Sequence, residues 1–117
     1  MTTITIFKSN GSYTGFTCSG HAGFASSGND IVCASISVLV INTLNAIEKL
    51  ANEKTDVAAK DGVIECRFPN EINDKTKLLM DTMLLGLKDI EKNYGKQKKN
   101  GFSKKEKSYF RLIIEEV

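Results

Sequence analysis

Two dipeptides, Asn10-Gly11 and Asp61-Gly62, each separate a pair of short segments in which apolar and polar residues alternate. Asn or Asp followed by Gly readily adopts the left-handed backbone conformations that a two-residue hairpin turn requires. The flanking segments are residues 3–8 and 13–19 around the first turn, and residues 55–60 and 63–68 around the second. The sequence therefore predicts two β-hairpins, and Pro69 should end the second one.

Two longer stretches carry apolar residues at spacings of three and four, the period of a helix with one apolar face. β-Branched residues within residues 31–52 would also suit a strand, but the length of this stretch favours a helix. Residues 73–94 predict a second helix, which Gly95 would end. The apolar positions are Ile36, Leu39, Val40, Leu44, Ile47 and Leu50 in the first stretch, and Leu79, Met80, Met83, Leu84, Leu87, Ile90 and Tyr94 in the second.

The predicted order of elements is strand, strand, helix, strand, strand, helix, strand, with the last strand over residues 108–116. Because each helix has one apolar face, we expect an α+β fold. It would be a two-layer sandwich, with two helices packed on one face of a mostly antiparallel sheet of about five strands. A chain of 117 residues with 41% hydrophobic content can build one core. We therefore expect a single domain over residues 1–117.

The cysteine content and the apolar runs indicate the cellular compartment of the protein. Three cysteines are an odd number for a disulfide framework, and no charged-then-apolar leader opens the sequence. Both observations predict a reducing, cytoplasmic compartment. The longest apolar-rich run, residues 31–44, is interrupted by Ser35, Ser37, Asn42 and Thr43. Since this run is too short and too polar to span a bilayer, we expect no membrane segment.

The residues best suited to chemistry are His21, the only histidine, and Cys33. A thiol and an imidazole are the two parts that a cysteine nucleophile needs. If Asn29 or Asp30 caps the first helix, Cys33 falls in its first turn, where unpaired N–H groups and a partial positive charge favour a thiolate. The Gly- and Ser-containing residues 22–29 predict a loop that could fold His21 over Cys33. On spacing alone, a loop histidine and a buried helix cysteine remain the alternative.

A second alternative collects Cys18, His21, Cys33 and Cys66 as zinc ligands, because Cys and His are suitable ligand types. These residues lack the paired short spacings of zinc knuckles. Strand alternation also directs Cys18 and Cys66 towards the core, where a free cysteine behaves as a small apolar residue. We therefore expect no metal and no other cofactor.

Residues 20–37, GHAGFASSGNDIVCASIS, resemble the ribosomal-processing cysteine proteases of bacteria, a family of small proteins of similar length. Ser35 stands where that family is expected to have Ala or Gly. The matching positions are Gly20, His21, Ala22, Gly28, Asp30, Val32, Cys33, Ala34 and Ser37.

The resemblance implies a cysteine endopeptidase that removes a short N-terminal extension from a large-subunit ribosomal protein, number twenty-seven, during ribosome maturation. The cut would follow an aromatic-rich apolar motif. Cys33 would be the nucleophile and His21 the general base and acid, with the N–H groups of Cys33 or Ala34 binding the oxyanion. Asp30 could either orient His21 or cap the helix.

Partner contacts are also expected. The loop should close over the bound peptide and bury Phe24 against apolar substrate residues. The resemblance further implies a homodimer. The residues expected to bind the substrate are Gly20, Ala22, Gly23, Phe24 and Ala34.

A lysine-rich stretch over residues 96–107 supports an alternative function, a non-catalytic ribosome-associated binding module that contacts RNA or an acidic partner. A solvated surface loop is the simpler interpretation of this stretch, because it lacks interleaved aromatic residues. The lysines concerned are Lys96, Lys98, Lys99, Lys104, Lys105 and Lys107.

Overall fold

The structure is a computed structural model, and it describes residues 2–20, 27–95 and 110–117. Five strands form a single sheet. They are β1 (Thr2–Ser9), β2 (Ser12–Ser19), β3 (Asp56–Lys60), β4 (Val63–Arg67) and β5 (Phe110–Glu116). Their order across the sheet is β3-β4-β2-β1-β5, with β5 parallel to β1 and all other pairs antiparallel. The predicted α+β class and the mostly antiparallel sheet are confirmed.

Both predicted hairpins form, and their turn residues have the expected conformation. Asn10 and Gly11 have φ values of 52° and 79°, and Asp61 and Gly62 have values of 53° and 76°. Two consecutive residues with positive φ are the mark of the hairpin turn that matches the twist of the flanking strands. The dipeptides therefore predicted both the position and the geometry of these turns.

Two helices, α1 (Ser27–Lys49) and α2 (Asp74–Ile90), pack on the same face of the sheet, and a single π-helical turn (Glu91–Gly95) follows α2. Helix α1 begins before residue 31, and Leu50 lies beyond its end with 69% of its surface exposed, so the prediction that Leu50 belongs to the buried stripe is wrong. The other stripe positions that the structure describes point inward. The largest fully buried side chains include Phe16, Phe110, Ile4, Ile6, Ile36, Ile47, Met80, Met83 and Leu87.

Asn73 fixes the start of α2. Its side-chain oxygen Oδ1 accepts a hydrogen bond of 2.9 Å from the backbone N–H of Thr76. An N–H group in the first turn of a helix has no carbonyl partner within the helix, so this bond caps α2. The amide nitrogen of the same side chain donates to the carbonyl oxygen of Ala51 at 3.0 Å. One side chain therefore both caps α2 and ties it to the segment that follows α1.

Helix α1 contains a stretch, Ile31–Lys49, of 19 residues with mean hydropathy 1.8, which is long and apolar enough to cross a membrane. This stretch is longer than the run over residues 31–44 on which the expectation of no membrane segment rests. Buried residues of α1, among them Val32, Ile36 and Val40, belong to the core of the fold. A core helix meets the same criteria of length and composition, so the absence of a membrane segment stays a prediction.

Candidate active site

Cys33 lies in the second turn of α1 and is half-buried. The prediction that a cap at Asn29 or Asp30 puts it in the first turn is wrong, because α1 begins at Ser27 and includes both residues. The sequence carries a signal for this earlier start. Ser27 is followed three residues later by Asp30, the spacing of a capping box. Asp30 is therefore a first-turn residue rather than the N-cap.

The earlier start of α1 also changes the expected oxyanion site. Beyond the first turn, each helical N–H bonds to the carbonyl four residues earlier. The N–H groups of Cys33 and Ala34 are therefore engaged within the helix, and the expectation that they bind the oxyanion is wrong for this conformation. In a helix, the N–H groups without helical partners are those of the first turn.

The sulfur of Cys33 contacts a residue that the sequence patterns do not identify. The Oγ1 atom of Thr2 lies 3.2 Å from the Sγ atom of Cys33, and either atom could donate the hydrogen bond. Thr2 is completely buried at the start of β1. No local pattern could have found this contact, because the two residues come from separate elements that only the folded chain brings together.

The other two cysteines are buried, as strand alternation predicted. Burial, reinforced by the nearby Cys33, raises the pKa of the Cys18 thiol from 9.0 to about 11. Burial, with smaller contributions from Glu48 and Asp56, raises the pKa of the Cys66 thiol to about 12. Both thiols are therefore protonated at neutral pH and are poor nucleophiles.

Gly20 connects the sheet to the segment that carries His21. It is exposed, follows the last residue of β2 and has φ of 86°, a left-handed conformation that favours glycine. Ser19 pairs with Thr3, so Gly20 lies at the same end of the sheet as Thr2 and therefore near Cys33. The structure thus brings the start of β1, the end of β2 and the second turn of α1 to one place.

The structure describes only some of the predicted site residues. Ala34 is exposed on α1, and the backbone of Asp30 lies in the first turn of that helix. Within the described ranges, no three His, Cys, Asp or Glu side chains form a group that could hold a metal ion. Outside the described residues lie His21, Ala22, Gly23, Phe24 and the lysine-rich residues 96–107.

The sequence is similar to a family of known proteases. It matches the family model described as Cysteine protease Prp over residues 1–99. A curated Staphylococcus aureus relative, Ribosomal processing cysteine protease Prp, is 36% identical over 86 residues, which cover 72% of this chain and 81% of the relative. The Bacillus subtilis protein of the same name is 34% identical over 85 residues, which cover 68% of this chain and 76% of the relative.

Solved structures give the same result. The Staphylococcus aureus protease Prp in complex with a substrate peptide has a TM-score of 0.82 and 30% identity, over 98% of this chain and 100% of that one. The same protease with a covalently linked product peptide has a TM-score of 0.78 and 31% identity, with equal coverage. SMU.848 from Streptococcus mutans has a TM-score of 0.75 and 26% identity, over 98% of this chain and 99% of that one.

These similarities decide between the two functions that the sequence left open. The family match spans every element that meets at the candidate site, from β1 to α1, and the relatives that share it are named as cysteine proteases. A non-catalytic binding module is therefore not the principal function. The chain belongs to the Cysteine protease Prp family and is a cysteine protease.

Proposed function

We propose that this protease removes a short N-terminal extension from a large-subunit ribosomal protein, number twenty-seven, during ribosome maturation. The curated relatives are named for ribosomal processing, and a solved relative holds a substrate peptide. The observation that carries the proposal is the half-buried Cys33 at the sheet end from which the chain continues to His21. A cytoplasmic location belongs to the same proposal, because a reducing compartment keeps the catalytic thiol free.

In the proposed reaction, the Cys33 thiolate attacks the carbonyl carbon of the scissile peptide bond. His21 takes the thiol proton and gives it to the leaving amine, so that the peptide bond breaks and an acyl-enzyme thioester forms. Water then attacks the thioester, with His21 accepting its proton and returning it to the Cys33 sulfur. The products are two peptides and the original thiol.

We propose that the oxyanion binds near the first turn of α1 rather than at Cys33 or Ala34. Cα–Cβ bonds in a helix tilt towards its N-terminus, so the Cys33 side chain is directed towards the turn that begins at Ser27. That turn has N–H groups without helical partners and the positive end of the helix dipole. Both properties stabilise an oxygen that gains negative charge in the transition state.

Asp30 has two proposed roles that one substitution separates. As a first-turn carboxylate it favours the helix through the dipole, and it could also orient His21. We expect Asp30→Asn to lower kcat without a change in melting temperature if it orients His21, and to lower only the melting temperature if it stabilises the helix. Thermal melting and steady-state kinetics on the same preparation measure both quantities.

The substrate contacts of the loop also stay a proposal. Gly20, Ala22, Gly23, Phe24 and Ala34 would line the bound peptide, with the segment around Phe24 closing over its apolar residues. Amide hydrogen exchange with and without a substrate peptide tests this closure. We expect stronger protection of this segment in the complex, and equal protection in both states would contradict the closure.

The first test of the function is mass spectrometry of the protein incubated with a peptide that carries the N-terminal extension. We expect the wild type to make a single cut and Cys33→Ala to make none while still binding the peptide. Cys18→Ala is the matched control, since it removes a neighbouring thiol that the mechanism does not use. An uncut peptide with the wild type, or equal loss of cleavage in both variants, would contradict the proposal.

We also propose that the protease is a homodimer formed through the helical layer. Large apolar side chains are exposed on α1 and α2, which is unusual for a surface that faces only water. A two-fold dimer would cover the same patch on both copies. The exposed residues are Ile31, Val38, Ile41, Leu78 and Leu85.

Sedimentation velocity tests the dimer. We expect the wild type to sediment as a dimer and Val38→Asp as a monomer, because a carboxylate at the interface would lose its hydration. Val117→Asp is the control, since Val117 is even more exposed than Val38, at 82% against 69%, but follows β5. A dimer that persists in Val38→Asp would contradict this interface.

The lysine-rich residues 96–107 could add contact with ribosomal RNA, which would appear as salt-dependent RNA binding.

A further inference from the structure

We propose that the hydroxyl of Thr2 donates a hydrogen bond to the sulfur of Cys33 and thereby favours its reactive thiolate and fixes its direction. The inference concerns the chemical state of Cys33, and its consequence for cleavage rests on the proposed function. The catalytic and substrate-binding residues expected from the sequence all lie within residues 20–34, so Thr2 is an addition to that set.

The geometry of the contact is well constrained. Thr2 Oγ1 and Cys33 Sγ are 3.2 Å apart, and no part of Thr2 reaches the surface. Thr2 lies between two neighbouring strands, because β1 pairs with β2 on one side and with β5 on the other. A β-branched side chain in a strand has few accessible rotamers, so the hydroxyl keeps one direction. Water also cannot replace it as a donor at this position.

The contact discriminates between the two protonation states of Cys33. A neutral thiol can either donate to the hydroxyl or accept from it, but a thiolate can only accept. When Cys33 ionises, Thr2 must therefore donate, and hydrogen bonds to a charged acceptor are about twice as strong as neutral ones. The bond gains strength on ionisation, and this difference shifts the equilibrium towards the thiolate.

Among the described residues, a titratable side chain acts on Cys33 besides this hydroxyl. Cys18 on β2 interacts with it electrostatically, and because burial raises the pKa of Cys18 to about 11, this neighbour is uncharged at neutral pH. His21, which follows Gly20, is the proposed proton acceptor and lies outside the described residues. Thr2 is thus a donor at every pH, beside a sulfur that can donate or accept as a thiol and can only accept as a thiolate.

Thr2 should affect turnover rather than substrate binding. Its hydroxyl contacts the sulfur from within the core, where no substrate atom reaches a fully buried residue. Loss of the hydroxyl therefore reduces the fraction of Cys33 that is thiolate and leaves the direction of its sulfur less fixed. The contacts with the bound peptide stay unchanged. The expected kinetic signature is a lower kcat at constant KM.

The test compares Thr2→Val, which keeps the shape but lacks the hydroxyl, with Thr2→Ser, which keeps the hydroxyl. The reporter is the alkylation rate of Cys33 by iodoacetamide across a range of pH, followed by mass spectrometry of the Cys33 peptide. We expect Thr2→Val to react about tenfold more slowly on the acidic side of the profile and to approach the wild type at alkaline pH. Thr2→Ser should stay close to the wild type.

Thr5→Val is the matched control, since Thr5 lies on the same strand and is half-buried on the face of the sheet away from the helices. Its alkylation profile should superimpose on that of the wild type. Thr2→Ala gives the comparison with Thr2→Ser if the valine variant does not fold. The proposal would be overturned if the alkylation profile of Thr2→Val or Thr2→Ala matched that of the wild type. It would also be overturned if the alkylation rate fell equally at every pH and fell in Thr2→Ser as well.

Peptide cleavage by the same variants separates this inference from the proposed function. If the wild type cleaves the peptide, kcat should fall in Thr2→Val by the same factor as alkylation. If the wild type does not cleave it but the alkylation profile shifts, the proposed function fails while the role of Thr2 stands. If the wild type cleaves the peptide and the profile does not shift, the role of Thr2 fails while the proposed function stands.

Discussion

The three cysteines have the same chemical group but very different environments. Cys18 and Cys66 are buried among core residues, whereas Cys33 is half-buried and contacts the hydroxyl of Thr2. A reactive thiol needs both solvent access and a partner that favours its ionised form. Only Cys33 combines the two.

Alkylation at neutral pH should be selective for Cys33. Iodoacetamide should modify Cys33 at least about tenfold faster than Cys18 or Cys66, because burial raises the pKa values of those thiols to about 11 and about 12. Mass spectrometry of peptides from the native protein measures the three rates. In the denatured chain the rates should become similar, and equal rates in the native protein would contradict the assignment.

The sequence predicted some of these residues and not others for a physical reason. Alternation along a strand tells which side chains face the core, so Cys18 and Cys66 were placed correctly. Thr2 was missed because its partner belongs to another element, and contacts between elements leave no trace in local patterns. The start of α1 was set too late because Asn29 and Asp30 are good caps, although Ser27 and Asp30 have the spacing of a capping box.

At the scale of elements, turn residues and apolar periodicity were sufficient to predict the strands and helices. Tight turns at Gly11 and Gly62 set the register of two hairpins, and both helices bury the stripe positions whose burial the structure describes, apart from Leu50. The order of the strands was not predictable in this way. Alternation gives the face of each residue but not the neighbour of each strand, so the parallel pairing of β5 with β1 required the structure.

Close contact between β2 and β4 depends on Gly15. A Cβ atom at this position would lie 2.4 Å from the carbonyl oxygen of Cys66 and 3.3 Å from the Cα atom of Arg67, both of them backbone atoms. Gly15→Ala should therefore force the two strands apart and lower the free energy of unfolding by about 1–3 kcal/mol. Urea denaturation measures this difference.

Gly86→Ala is the control for this prediction. A Cβ atom at Gly86 would meet Leu39, but the nearest atom is the end of a flexible side chain at 2.8 Å. Because a leucine can change its rotamer while a strand backbone cannot move freely, the loss should be smaller than for Gly15→Ala. Equal losses in the two variants would contradict the importance of the backbone contact.

Tyr13 links the first hairpin to α2. Its hydroxyl donates a hydrogen bond of 2.5 Å to Oδ1 of Asp81, and Lys77 donates to Oδ2 of the same carboxylate at 3.0 Å. The ring also lies under Lys8, whose Nζ atom is 4.8 Å from the ring centre. The hydrogen bond from Tyr13, followed by that from Lys77, lowers the pKa of Asp81. Burial, followed by Asp81, raises the pKa of Tyr13.

Tyr13→Phe should lower the free energy of unfolding by about 1 kcal/mol at neutral pH, since it removes one hydrogen bond to a carboxylate whose side chain is 45% exposed. A carboxyl with a lowered pKa in the folded state stabilises the protein above its unfolded pKa of 3.8, and this contribution disappears as the pH falls through the folded value. The difference in the free energy of unfolding between Tyr13→Phe and the wild type should therefore become smaller as the pH falls. Thermal melting across this pH range measures the effect, and a constant difference would contradict the linkage.

At the scale of the whole molecule, the proposed site depends on both the first and the last strand. Thr2 pairs with Phe110, the first residue of β5, and both are buried. The parallel pairing needs a crossover connection, and α2 lies within the chain between β1 and β5. The strand that completes the sheet therefore also covers the side chain that contacts Cys33.

Phe110→Ala should lower both stability and the reactivity of Cys33. Phe110 is 2% exposed, and removal of a buried aromatic ring costs about 3–5 kcal/mol. The cavity would lie beside Thr2 and loosen its hold on the Cys33 sulfur, so alkylation of Cys33 should slow under conditions in which the variant is folded. Urea denaturation and peptide-resolved alkylation measure the two effects.

Ile114→Ala is the matched control on the same strand. Ile114 is 44% exposed and pairs with Ile6, which lies four residues along β1 from Thr2. Its truncation should cost about 1 kcal/mol or less and leave the reactivity of Cys33 unchanged, because less apolar area is lost and the cavity is far from the site. If Phe110→Ala destabilised the fold while Cys33 kept its wild-type alkylation rate, β5 would complete the core without supporting the nucleophile.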